Sequence, residues 1–122
     1  MRKFLIGAAL VLALATPAKA QMGTGLPVTP LGYCQLSAAT LVAATLLSSC
    51  SGGIPTGANM ILLGAEAQSV RWRDDGVAPT TAIGMVIIST QQPFLYSGTL
   101  SKLQFINATA GSILNVSFYK SP

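Results

Sequence analysis

Glu66, Asp74 and Asp75 are the only carboxylate side chains in a chain of 122 residues that contains no histidine. Two carboxylates held at a set distance can hydrolyse a glycosidic bond, one as acid and one as base or nucleophile. Asp74 and Asp75 are adjacent, however, and follow Arg71 and Arg73 in the stretch SVRWRDDGVAPT. Neighbouring positive charge lowers a carboxyl pKa, which makes both aspartates poor general acids. Without histidine, Ser-His-Asp and Cys-His arrangements and histidine metal sites are excluded. Calcium needs six or more oxygens, and no D-x-D-x-D-G loop supplies them. No phosphate-binding glycine loop is present, because Gly23-Thr24-Gly25 lacks a strand before it and a helix after it. The residues therefore point away from an enzyme, a cofactor or a metal.

The segment 71–75 surrounds the one tryptophan, Trp72, and it has two readings. On a strand, Val70 and Trp72 face inward and Arg71 and Arg73 face outward. The guanidiniums then pair with a carboxylate nearby, and Asp74-Asp75-Gly76 closes the strand with a turn. Alternatively, Trp72 is exposed between arginines and stacks on a sugar or a partner protein, with Tyr96 and Tyr119 as further aromatic contacts. The alternation from Val70 favours the inward reading. The candidate binding residues are Arg71, Trp72, Arg73, Asp74, Asp75 and Tyr96.

The elements that must position these residues begin after a leader. Arg2 and Lys3, the apolar run from Phe4 to Thr16 and the Ala18-Lys19-Ala20 sequence read as a secretory signal peptide over residues 1–20. Removing Arg2, Lys3 and Lys19 leaves Arg71, Arg73, Lys102 and Lys120 against three acids, so the formal charge falls from +4 to +1. The remaining basic residues form no cluster of the kind that binds nucleic acid. No later apolar stretch is long enough to span a bilayer. The expected product is exported, periplasmic or extracellular. In an oxidising compartment Cys34 and Cys50 are expected to pair, against free thiols or a bridge between chains.

Residues 21–32, QMGTGLPVTPLG, read as a flexible arm, and 33–122 as a single domain. Within 33–50, a helical stripe through Leu36, Ala39, Ala43 and Leu47 competes with the β-formers Thr40, Val42 and Thr45. Two short strands with a break near Ser37 are the reading adopted. SSCSGGIPTGA is a loop. Ile61, Leu63, Ala65 and Ala67 alternate on odd positions, and Val70 and Trp72 on even ones. That change of phase requires a bulge or a new strand near Gln68-Ser69. Further strands are expected at 81–90, around Phe94 and Tyr96, around Leu103 and Phe105, and at 112–120, where Leu114, Val116 and Phe118 face one way. Asn107-Ala-Thr and Asn115-Val-Ser match the glycosylation pattern, but Asn115 lies mid-strand and neither is read as a glycosylation site. Seven or eight short strands at this spacing predict an all-β fold, a small antiparallel β-sandwich that is jelly-roll-like. A sandwich with so few charges is poorly protected at its edges, which points to self-association or a protein partner.

From Gly57 to Lys120 the motifs AEAQSVRWRDDGVAPT, GM, YSGTL and LNVSFYK occur in series. This order resembles small uncharacterised proteins of tailed bacteriophages and prophages. The resemblance implies a β-sandwich virion component, head-associated or decorating. The leader departs from a virion protein assembled in the cytoplasm, and suggests a host-adapted relative or an exported accessory protein.

Overall fold

The computed structural model describes residues 27–122, and the expected leader and the first half of the expected arm lie outside them. Eight strands form the framework: β1 (Thr29–Leu36), β2 (Thr45–Leu46), β3 (Met60–Glu66), β4 (Val70–Arg73), β5 (Met85–Ile87), β6 (Phe94–Tyr96), β7 (Gln104–Asn107) and β8 (Ile113–Lys120). They make two antiparallel four-stranded sheets, β1-β8-β3-β6 and β2-β7-β4-β5, hereafter the first and second sheets.

The pairings β1·β8, β2·β7, β3·β6 and β4·β5 are nested. The chain is thus one long hairpin rolled up, and β3·β8 and β4·β7 close the roll. Eight strands wound into two sheets in this way have the jelly-roll topology. Between the sheets lie Leu41, Leu47, Ile61, Leu63, Val70, Leu103, Phe105, Leu114, Val116 and Phe118, all buried. Burying each such side chain contributes about 1.5–3 kcal/mol.

The phase change after Ala67 is the point where the chain leaves the first sheet for the second. Ala67 has φ 67°, and the Gln68 amide donates to the Glu66 carbonyl at 2.8 Å, so a γ-turn separates β3 from β4. Odd positions 61–65 and even positions 70–72 then fill the same core from opposite sides.

Three expectations need correction. The arm does not extend to residue 32, because β1 begins at Thr29. Pro30 and Gly32 flank a register shift on an edge strand, where a proline and an unpaired residue are tolerated. The break at Ser37 is present, but the second strand of 36–50 shrinks to Thr45–Leu46 between short 3-10 turns at Thr40–Val42 and Leu47–Ser49. Hydroxyls take over the local hydrogen bonding there, with Thr45 Oγ1 within 2.9 Å of both the Thr40 and Ala43 carbonyls. The strand over 81–90 contracts to Met85–Ile87. Thr80 forms a turn with Ile83, and its Oγ1 accepts the Ala82 and Ile83 amides at 3.2 and 2.9 Å.

Cys34 and Cys50 form a disulfide with Cα atoms 5.7 Å apart. It ties β1 to the end of the second 3-10 turn, and both cysteines are buried in the core. Closing a loop of this length stabilises a domain by about 3 kcal/mol in the chain-entropy model. Among the described residues no helix is long and apolar enough to cross a membrane.

Candidate functional site

The residues singled out at 71–75 come together at the end of β4, with their polar groups bonded to one another and to nearby backbone. Trp72 faces the space between the sheets and is half-buried. Its ring lies 6.1 Å from Phe94 at 38° and 5.7 Å from Tyr96 at 79°. Trp72 belongs to the second sheet and its two aromatic neighbours to the first, so the cluster joins the sheets at that end. An edge-to-face pair such as Trp72 with Tyr96 adds about 0.5–1.5 kcal/mol beyond burial.

Arg73 clamps Asp75 through two hydrogen bonds, one from Nε to Oδ1 at 3.1 Å and one from Nη2 to Oδ2. The Val77 amide also donates to Asp75 Oδ1, at 3.1 Å. The Arg73 hydrogen bond, aided by the Val77 amide, lowers the Asp75 pKa to about 2. The same hydrogen bond raises that of Arg73. Asp75 is therefore an anion held in a turn, which disqualifies it as a general acid.

Arg71 does not pair with a carboxylate, as the sequence suggested it would. Its Nε donates to the Thr81 carbonyl at 2.8 Å and its Nη1 to the Gly84 carbonyl at 3.0 Å. It thereby holds the 80–84 turn against β4. Asp74 accepts the Tyr96 hydroxyl proton at 3.1 Å. Burial raises the Tyr96 pKa, with the Asp74 contact adding to it. Gly98 seats this tyrosine closely, because a Cβ there would collide with the Tyr96 hydroxyl. Tyr119, the third aromatic considered, lies on β8 opposite Met60 of β3 and Pro30 of β1, apart from this cluster.

A different set of polar residues gathers on the outer face of the first sheet. Register places Gln35 of β1 beside Asn115 of β8, and Asn115 beside Gly64 of β3. Asn115 Oδ1 accepts from the Tyr33 hydroxyl and from Gln35 Nε2 at 2.9 Å, and its Nδ2 donates to Glu66 Oε2 at 3.2 Å. Beside this network is an open cleft of about 440 Å³ between the sheet and the 89–93 segment. Glu66 was weighed only as a partner of the turn aspartates, yet β4 and the γ-turn separate it from them. The sequence marks Asn115 only as part of a glycosylation pattern, and nothing in it marks Gly64, Tyr33 or Gln35 as site residues. The polar side of the last strand was the available signal, but only strand register shows what it faces.

The outer face of the second sheet sets apolar residues beside Arg71, Arg73 and Gln104, whose polar groups are turned to the molecule's own loops. Leu46 of β2 and Val86 of β5 are exposed there, and Ile106 of β7 is covered but lies outside the inter-sheet core. Met85 (64% exposed), Ile83 (58%) and Ile88 (50%) extend the apolar surface along the β5 edge. Among the described residues β5 pairs with β4 alone. No cluster of His, Cys, Asp or Glu able to hold a metal ion occurs among the described residues.

Compared with protein-family models, curated proteins and solved structures, the chain matches none.

Proposed function

We propose that this chain is a non-enzymatic structural protein that works by assembling with further copies of itself through the second sheet. The observation that carries this reading is the exposed apolar strip of Ile83, Met85, Val86 and Ile88 along an edge strand whose outer side is unpaired among the described residues. An open edge of backbone donors and acceptors is a template for another strand. Two β5 strands pairing antiparallel about a two-fold axis would satisfy each other, since one surface meets itself. The low formal charge leaves little repulsion between copies.

Further support is chemical. The turn carboxylates are engaged by Arg73 and Tyr96, which argues against their use as a general acid and base. The disulfide suits an exported protein, periplasmic or extracellular. The serial motifs from Gly57 to Lys120 favour a virion-associated role, head-linked or decorating. The jelly roll suits both readings, since capsid and lectin domains share it, and on its own it selects neither.

Light scattering on the disulfide-bonded protein tests the proposal. A mass that rises with concentration to a dimer or higher oligomer, and that Val86→Lys returns to the monomer, supports it. A folded monomer at every concentration overturns it.

A further inference from the structure

We propose that the cleft on the outer face of the first sheet binds a neutral saccharide. The inference does not rest on self-assembly, because the cleft and the apolar strip belong to different sheets.

The cleft exists because β3 carries glycine at position 64. A side chain there would stand between Asn115 and Pro93, and even a Cβ would meet Pro93 Cγ at 3.3 Å. The gap of about 440 Å³ is lined by Leu62, Gly64, Glu66, Pro93, Asn115 and Ser117. Its size falls within the range of roughly 300–1,000 Å³ typical of small-molecule sites.

The groups lining the gap retain hydrogen-bonding capacity. Asn115 Oδ1 is occupied by Tyr33 and Gln35, which fixes the amide so that Nδ2 faces Glu66. One Nδ2 hydrogen and Glu66 Oε1 are then left without a partner among the described residues. The Ser117 hydroxyl and the exposed amides of Gln91 and Gln92 border the same space. Each of these can donate, accept or do both. Leu62 and Pro93 supply apolar surface, and the Tyr33 ring, 62% exposed, stands one hydrogen bond from Asn115.

This combination fits a sugar, whose hydroxyls donate and accept together and whose C–H faces pack on apolar or aromatic surface. The charge selects within that class. Glu66 is the single charged residue lining the cleft, and no lysine or arginine lines it. A carboxylate so placed repels uronic acids, phosphates and other anions. One carboxylate is also too few for a hard cation, which needs several oxygens.

The test is calorimetric titration of the disulfide-bonded protein with neutral oligosaccharides built on glucose, mannose, galactose or N-acetylglucosamine, beside an oligogalacturonate. Binding of at least one neutral oligosaccharide is expected. Asn115→Ala and Glu66→Gln should each weaken it about tenfold or more, and the galacturonate should not bind. Because Asn115→Ala also removes sheet contacts, Gln91→Ala combined with Gln92→Ala, in an exposed loop, serves as the second variant and should weaken binding as well. No binding across the neutral panel, equal binding of the galacturonate, or affinities unchanged in the variants overturns the assignment.

Discussion

The two outer faces of the sandwich are built on the same pleat and use their polar residues differently. On the first sheet the outward positions include Tyr33, Gln35, Glu66 and Asn115, linked by hydrogen bonds across three strands, beside Leu62 and Leu95. On the second they are Leu46, Val86 and Ile106 together with Arg71, Arg73 and Gln104, whose polar groups are turned to the molecule's own loops. Exposed apolar side chains matter most where they adjoin, as Ile83, Met85, Val86 and Ile88 do along the β5 edge. Where charge is most concentrated, at 71–75, it holds the molecule's own turns. The surfaces open to other molecules lie elsewhere, on the polar cleft and the apolar edge.

Predictions that break this comparison begin with the residue joining the faces. Trp72→Ala removes the ring that contacts Phe94 and Tyr96 across the sheets. It should cost about 3 kcal/mol, the low end for a large aromatic because Trp72 is half-buried. Urea unfolding checks this, and a loss below about 1 kcal/mol would place the ring outside the fold's support. On the polar face, Asn115→Ala should cost only about 1 kcal/mol in the same assay while leaving the second sheet's behaviour unchanged.

The Asp75 turn yields a pH dependence. The folded carboxyl titrates at about 2, below the ordinary 3.8, because Arg73 holds the anion. A depressed pKa contributes stability that is present above 3.8 and is lost as the pH falls through about 2. Thermal unfolding across that window should show the loss in the wild type and a flatter profile in Asp75→Asn. The smallest expected effect lies at the crossing between the sheets. Ala67→Gly removes a Cβ from a residue at φ 67° and should raise stability by about 0.5 kcal/mol, net of the greater freedom of the unfolded chain.

Much of the architecture could be read from alternation. Leu114, Val116 and Phe118 identify their strand, and the change of phase before Val70 marks the passage between sheets. Punctuation by glycine and proline was less informative, because Pro30 and Gly32 sit inside a bulged edge strand. β-branched residues also overstated β5, since Thr80 diverts the backbone into a turn. The inward side of Trp72 followed from its parity with Val70. The cleft did not, because it depends on which strand lies beside Gly64 and on the absence of a side chain there. Those are matters of register between β1, β8 and β3, which are distant in sequence. The sequence announces the apolar strip only as an edge poorly protected by charge. Its place on β5 emerged once the roll set the strand order.

The contrast between the faces is tested most directly by the solution mass of the disulfide-bonded protein as a function of concentration, beside Val86→Lys. The account predicts an oligomer in the wild type and a folded monomer in the variant, with the cleft on the other sheet undisturbed. A wild-type protein that stays monomeric, or an oligomer indifferent to Val86→Lys, would contradict it.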